Sequence, residues 1–465
     1  MTRSTMTADG EPRPPLLFRG GALGALAPFA VFLAGVAWLA LSGAPDERGF
    51  WPILLAALTL GLVLVRDRHG YCDTLIRGMS QPIVLLMIMA WLLAGVFAAL
   101  VRASGLVDSL VWLAMSAGVS PTGFTVTAFL VCCVVSTATG TSLGTLILCT
   151  PLLYPSGLAI GVEPAVLIGA ILGGATFGDN ISPVSDTTIA SATTQGADLG
   201  GVVRSRLRYA LPAAALALLA YASLATGGAG SPAADATANL SPAGLPMVLA
   251  PIVVLLLLLR RQHLLAGLLA GIVVAALLGL ACGLLEASEI LYIDAERFSA
   301  RGLIVEGMER GLGVSIFTLL LMGLVATLES SGLLPRILAW VEARTASRRG
   351  AESWTFATIS IASLLTTHST VAILAVGPST RRTGERFGLD AYRRANLLDV
   401  TACTYPFLLP YCIPTILAAS LTAGAGQAVS PLHAGLYNFH SWGLLLVIVF
   451  AIVSGYGRVS GESTP

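Results

Sequence analysis

The sequence predicts an all-α polytopic membrane protein built as an inverted repeat, with two re-entrant hairpins, two discontinuous helices and about 10 membrane-spanning helices. Three observations carry this expectation. The composition is strongly apolar, a motif register recurs 227 residues further on, and Gly-, Pro- and hydroxyl-rich interruptions lie inside otherwise apolar stretches.

Of 465 residues, 55% are hydrophobic and 11% charged, and the mean hydropathy is +0.84. A soluble chain carries about a quarter charged residues. Apolar runs close to the ~20 residues that cross a bilayer recur throughout. They include Ala22–Leu41, Pro82–Val101, Leu207–Ala225, Pro246–Leu259, Leu264–Leu285, Val314–Leu328 and Leu436–Ser454. The longest polar stretches, around Gly227–Asn239 and Glu286–Arg301, are loop-sized. The first apolar run exceeds the roughly 7–15 residues of a signal-peptide core and lacks a convincing cleavage site, so it is read as a helix. A net charge of +1 gives no sign of nucleic acid. The seven cysteines (72, 132, 133, 149, 282, 403 and 412) lie mostly in apolar segments without metal-like spacing, which predicts packing roles rather than disulfides.

Cytoplasmic loops are enriched in Lys and Arg, and here every basic residue is arginine. Arg3, Arg13 and Arg19 precede the first helix, while Arg66, Arg68 and Arg77 follow the second. Further clusters are Arg204, Arg206 and Arg208; Arg260 and Arg261; Arg344, Arg348 and Arg349; and Arg381, Arg382, Arg386, Arg393 and Arg394. The loops Pro155–Glu163, Gly227–Leu245 and Ala423–His433 contain none. This asymmetry predicts a multi-pass protein of the cell membrane with both termini cytoplasmic.

The repeat is read from one offset. Ser104-Gly105-Leu106 recurs as Ser331-Gly332-Leu333, Pro151 as Pro378 and Pro183 as Pro410, each 227 residues later. A small shift pairs Thr137 and Thr141 with Thr366 and Thr370. Equivalent loops differ in arginine content, Pro155–Glu163 having none and Arg381–Asp390 three, which predicts that they lie on opposite faces. The chain then divides into a tail with two helices (1–80), repeat one (81–226), connecting helices (227–303), repeat two (304–420) and a last helix with its tail (421–465). Inverted repeats of this kind mark secondary transporters, with the site at broken helices near the midplane. A duplication kept only for packing is the alternative.

Each half is interrupted twice. Ser136–Ser142 lies between the short apolar arms Phe129–Val135 and Leu146–Leu153, which predicts a re-entrant hairpin with a hydroxyl-rich tip. Backbone groups left unpaired at this depth need protein or water partners, and hydroxyls and carbonyls are hard oxygen ligands for a small cation. Packing through Ser and Thr hydrogen bonds is the other reading. The repeat-two tip is Thr366–Thr370 and includes His368, read as a proton carrier or a hydrogen-bonded structural residue. The second interruption, Gly173–Thr188, holds Pro183 and two carboxylates, Asp179 and Asp186, seven residues apart, which places them on one face if the helix continues. A carboxylate at the bilayer centre costs roughly 2.5–3.5 kcal/mol on insertion scales, so it asks for a function. It binds a cation when ionised and is neutral when protonated, the two states that cation–proton exchange requires. A structural carboxylate capped by Ser and Thr is the alternative. In repeat two the counterpart is Asp399–Pro406 with Pro410 and Pro414, and its single acid, Asp399, comes earlier in register.

Gly174–Thr188, GATFGDNISPVSDTT, resembles the signature segment of the NhaC family of Na+/H+ antiporters. Thr137–Thr145 is similar to that family's preceding Thr/Gly-rich segment, and Arg394–Thr401 with Tyr405-Pro406 resembles a later one. The resemblance covers roughly Gln81 to Ser420. It implies cation-coupled antiport and a fold with paired hairpins and broken helices. It also implies a cation and proton site at Asp179, Asn180, Ser182, Ser185, Asp186 and Thr187, with the hairpin tip Thr139, Gly140, Thr141 and Ser142. Thr367, His368, Ser369, Thr370, Asp399 and Thr404 are candidates for a second-repeat wall or substrate site. The second hairpin, Thr366–Val371, departs from the family pattern. Relatives of this family also move carboxylates or amino acids, so substrate identity stays open.

The leading expectation is a monovalent cation/proton antiporter, followed by a Na+- or H+-coupled carrier of a small organic solute, for which Arg102, Glu329 and His368 are extra polar groups. Against an enzyme, the chain has no HExxH, no GxxxxGK[ST] and no GxSxG in a suitable context. The expected partners are the lipid bilayer, a monovalent cation and the proton, with a small organic solute and a homodimer left open. No cofactor is expected beyond Na+ as the transported or coupling ion.

Overall fold

The computed structural model describes residues 15–41, 47–224, 240–295 and 299–458. Arg3 and Arg13 of the N-terminal basic cluster, and residues 227–239 of a basic-free loop, lie outside the described residues. Apart from the short antiparallel strands Tyr292–Asp294 and Ser299–Arg301, the regular structure among the described residues is helical. Among the described residues, nine helices are long and apolar enough to cross a membrane. The shortest of these have 18 residues, about 27 Å at 1.5 Å per residue, near the ~30 Å hydrocarbon thickness.

The chain divides into two compact units, Met1–Ile88 with Gly313–Arg344, and Met89–Leu312 with Thr345–Pro465. The first contains α1 (Gly21–Leu41), α2 (Phe50–Leu64) and α3 (Arg68–Met79). Asp67 caps α3 by accepting from the Gly70 amide at 3.0 Å, and the Tyr71 hydroxyl donates to the Leu58 carbonyl. Around Tyr71 pack Leu16, Phe18, Ala25 and Val65. α4 (Pro82–Ala103) and α14 (Leu303–Glu329) each run from one unit into the other.

The second unit holds α5 (Leu106–Ser116), α6 (Pro121–Thr139), α7 (Ser142–Ala159), α8 (Pro164–Ile181), α9 (Asp186–Gln195) and α10 (Leu199–Leu224). After α11 (Leu249–Leu259), α12 (Leu264–Ala281) and the single turn α13 (Ala287–Ile290), the series resumes with α15 (Leu333–Arg344) in the first unit. It continues in the second with α16 (Arg348–Thr366), α17 (Ser369–Arg386), α18 (Ala391–Ala402), α19 (Ile413–Ala423) and α21 (Phe439–Ser454), the last reached through the one-turn α20 (Pro431–Leu436). The starts of α5 to α9 and of α15 to α19 all differ by 227 residues, from 333 − 106 to 413 − 186. The caps repeat too. Ser120 and Ser347 cap α6 and α16, and Glu163 and Asp390 cap α8 and α18, each through a side-chain oxygen that accepts a backbone N–H.

This register corrects two expectations. The shifted pairing of Thr137 and Thr141 with Thr366 and Thr370 does not hold. At the tips the offset stays 227, so Gly140 matches Thr367, both left-handed C-caps, and Thr141 matches His368, both N-caps. The hairpin arms are also longer than the apolar runs suggested, 19 residues in α6 and 18 in α7. Hydroxyls inside the helices return to carbonyls four residues back, as Thr137 to Cys133 and Thr139 to Val135, so polar residues extend the arms rather than end them.

Arg393 and Arg394, read from sequence as loop arginines, are buried in α18. Arg393 pairs with buried Glu352 at 3.0 Å and donates to the Tyr209 hydroxyl and the Ala451 carbonyl. Arg394 donates to Gln195 at the end of α9 and to the Leu389 carbonyl. Guanidinium groups held this way serve packing, and their number says less about membrane orientation than exposed arginines do.

Candidate functional site

α8 stops where proline chemistry requires. The Pro183 ring disfavours helical geometry in the preceding residue, and Ser182 is extended at φ −69°, ψ 131°. The chain turns through 183–184, and Ser185, also extended, leads into α9. Gly178 lets the hairpin arm approach: a Cβ there would lie 2.3 Å from Ser136 Cβ and from the Thr137 amide nitrogen in α6. Ser136 Oγ donates to the Ala175 carbonyl at 2.7 Å across the same contact.

Asp179, one turn before the break, is buried. Its Oδ2 accepts from Ser142 Oγ at 2.8 Å and its Oδ1 from Ser185 Oγ at 2.7 Å. Ser185 is linked to Thr187 Oγ1 at 2.9 Å, and Thr187 donates to the Asp179 carbonyl at 3.4 Å. Hairpin tip and break thus meet on one carboxylate, and α9 reaches the main-chain carbonyl of the same residue. Gly140 makes the meeting sterically possible: at φ +71° its Cβ position lies 2.6 Å from Val184 Cγ2 and 3.0 Å from the Ser185 nitrogen.

Other predicted residues are placed elsewhere. The Thr139 hydroxyl is spent on its own helix, and Thr141 caps α7 by accepting from the Gly144 amide, so of the tip side chains only Ser142 reaches Asp179. Ser182 Oγ accepts from the Val184 amide within the turn. Asp186 is exposed rather than buried with Asp179, because the break turns α9 away from the face α8 would have continued. Its Oδ2 accepts from Thr370 Oγ1 at 2.9 Å, which joins the break to the second hairpin tip. There, Thr367 takes φ +56°, and Thr367 Oγ1 and His368 Nδ1 are buried atoms without hydrogen-bond partners. Ser369 Oγ donates to the Ala402 carbonyl, and Thr404 Oγ1 to the Thr401 carbonyl.

Asp399 is a fully buried acid on α18, and it is neutralised. Arg206 Nη1 lies 2.6 Å from its Oδ2, Ser191 Oγ donates to that oxygen at 3.0 Å, and Asn180 Nδ2 and Cys403 Sγ donate to Oδ1 at 3.2 Å. Asn180 therefore faces Asp399, and its own Oδ1 is buried without a partner. Sequence reasoning missed Arg206 by counting it among loop arginines. Helical phase carried the signal: at 100° per residue Arg204 and Arg208 share a face, while Arg206 falls with buried Val202, Tyr209 and Ala213.

Residues 22–227 match the Na+/H+ antiporter family. The chain is 31% identical over 233 residues to the Na+/H+ antiporter NhaC of Alkalihalophilus pseudofirmus, covering 48% of this chain and 50% of that protein. It is 28% identical over 238 residues to NhaC of Bacillus subtilis, with 48% and 49% covered. The malate-2H+/Na+-lactate antiporter of Bacillus subtilis matches at 28% over 171 residues, 36% of each chain. The chain thus spans about half the length, or less, of the curated relatives it matches. Among solved structures, the Alcanivorax borkumensis YdaH transporter matches with a TM-score of 0.44 and 14% identity, over 92% of this chain and 99% of that one. Residues 22–227 thus match the Na+/H+ antiporter family, and over about half its length the chain is similar to the NhaC antiporters that its Gly174–Thr188 segment resembles.

Proposed function

We propose that the chain is a secondary active transporter that exchanges Na+, or another monovalent cation, for H+ across the cell membrane by alternating access. One observation carries the proposal. Among the described residues, the side-chain partners of the buried Asp179 carboxylate are hydroxyls, with no basic group paired to it. An ionised carboxylate without a counter-charge is costly in a buried site. A proton on the carboxylate or a cation beside it removes that cost, and both use the same oxygens, so they compete. Ser142 and Ser185 donate to the carboxylate, and on rotation their lone pairs face a cation. The two hydroxyls come from the hairpin tip and from the break, so relative movement of these elements opens the cage.

Topology supports alternating access. Among the described residues, the candidate spans between the starts of α4 and α14 are α4, α6, α7, α8 with α9, α10, Pro242–Leu259 and α12, seven in all. An odd number brings the second series in from the opposite face, and it stays odd if α6 and α7 turn back together instead of crossing. With the arginines around Arg66–Arg77 cytoplasmic, both termini are cytoplasmic. The proposal is tested in proteoliposomes by the dissipation of a pH gradient on addition of Na+, Li+ or K+. Loss of the gradient with none of them contradicts it.

A second reading, a cation-coupled carrier of a small carboxylate, is favoured by the unpartnered Thr367 Oγ1 and His368 Nδ1 beside the Thr370–Asp186 contact. One relative is a malate/lactate antiporter. Under this reading dicarboxylates or lactate stimulate flux, and His368→Ala removes that stimulation while Na+-dependent proton movement persists. Gradient dissipation indifferent to carboxylates excludes it.

A further inference from the structure

Five oxygens converge on the Arg206 guanidinium. Nη1 donates to the Asn180 carbonyl at 2.6 Å and to Thr188 Oγ1 at 2.8 Å, and lies 2.6 Å from Asp399 Oδ2. Nε donates to Asn396 Oδ1 at 3.1 Å and Nη2 to Ser191 Oγ at 3.1 Å. The set comprises one carboxylate, one main-chain carbonyl at the end of α8, two hydroxyls and a side-chain amide. Carboxylate, carbonyl and hydroxyl oxygens are the hard donors that metal cations of this class take. The same break frames both cages, with Asp179 in one and the adjacent Asn180 carbonyl in the other. The difference lies in the occupant. The Asp179 cage holds no basic side chain among the described residues, whereas the Asp399 cage is filled from α10 by a guanidinium that cannot lose its charge.

We propose that Arg206 is a tethered cation occupying a second oxygen cage, so that only Asp179 takes an exchangeable cation and one cation moves per cycle. The inference rests on the exchange reading above. The structural ion pair Arg393–Glu352 also gathers hydroxyl and carbonyl oxygens, but none of them belongs to the break between α8 and α9 or to α9 itself. Arg206 takes up the Asn180 carbonyl at the α8 terminus and both α9 hydroxyls, the groups a mobile ion would need there. Without the guanidinium, Asp399 becomes a buried carboxylate with hydroxyl, amide and thiol neighbours, the same chemical situation as Asp179.

The test is equilibrium dialysis of radioactive Na+ against the purified full chain in detergent at alkaline pH. Wild type is expected to bind one Na+ per chain, Arg206→Ala two, Arg206→Ala/Asp399→Asn one, and Asp179→Asn none. Two Na+ in wild type, or no gain in Arg206→Ala, overturns the inference. Retention of the wild-type ion by Asp179→Asn contradicts the exchange reading, while a gain in Arg206→Ala that Asp399→Asn abolishes still upholds the role of Arg206. Should Arg206→Ala unfold on purification, it and Arg206→Met are prepared in Na+ and in choline at equal ionic strength. Recovery of folded protein in Na+ alone supports the tethered cation, and failure in both salts overturns it.

Discussion

Gly140→Ala adds a single methyl group where two constraints meet. At φ +71° an L-residue pays about 1–2 kcal/mol for the left-handed conformation. The new Cβ would also sit 2.6 Å from Val184 Cγ2, 2.9 Å from the Val184 carbonyl carbon and 3.0 Å from the Ser185 nitrogen. Crowding of this kind costs about 1–3 kcal/mol, so the sum is about 2–5 kcal/mol. Thr367 separates the two terms, because the equivalent tip of repeat two holds a threonine at φ +56°. Left-handed geometry alone is therefore tolerated, and the approach of residues 184–185 is what demands glycine at 140. Relief comes by pushing Ser185 away, which stretches its 2.7 Å hydrogen bond to Asp179. A hydrogen bond to a charged group is worth about 1.5–3 kcal/mol, or roughly 10- to 100-fold in cation affinity. The assay is the Na+ concentration for half-maximal proton movement in proteoliposomes, with thermal melting of the same preparation. Val184→Ala in the Gly140→Ala background removes the side-chain contact but not the two backbone contacts, so partial recovery is expected. Wild-type melting and half-saturation in Gly140→Ala would refute the reasoning.

Two further outcomes follow from the same geometry. Ser142→Ala should weaken apparent Na+ affinity about 10-fold or more, whereas Thr139→Ala, whose hydroxyl bonds Val135 within its own helix, should change it less than about 3-fold; equal effects in the same flux assay would remove Ser142 from the cage. Single cysteines at Ala159 and Arg386, equivalent ends of α7 and α17, in a background lacking the seven native cysteines, should react with a membrane-impermeant thiol reagent from opposite faces, and same-side labelling would end the inverted reading.

The helix breaks were legible in the sequence because their causes are local. Pro183 with its polar neighbours marks the first and Pro406, Pro410 and Pro414 the second, and the structure ends α8 at Ile181 and α18 at Ala402. The repeat was legible for a related reason, since Pro183, Pro410 and the Ser-Gly-Leu turns that carry the 227-residue offset sit at or near helix ends, while Pro151 and Pro378 hold equivalent places inside α7 and α17. Side-chain destinations were less legible. Thr139, Thr141 and Ser142 look alike in sequence, but only Ser142 is pointed across to Asp179 by the start of α7, while the other two hydroxyls meet their own backbone. Asp186 was expected on the face of Asp179 by continuing a helix that the break redirects. Arg206 was hidden because its partner Asp399 is distant in sequence and joins it only when α10 packs on α18. Charge counting treats every arginine as a loop residue, and only helical phase distinguishes the buried one.

The central claim is that Asp179 is the group for which proton and cation compete, and proton release from detergent-purified protein on addition of Na+ tests it directly. The wild-type protein should release protons, Asp186→Asn should still do so because that carboxylate is exposed and bonded to Thr370, and Asp179→Asn, folded and membrane-inserted, should release none. Undiminished Na+-driven release from Asp179→Asn would contradict the account and move the exchange chemistry to another carboxylate.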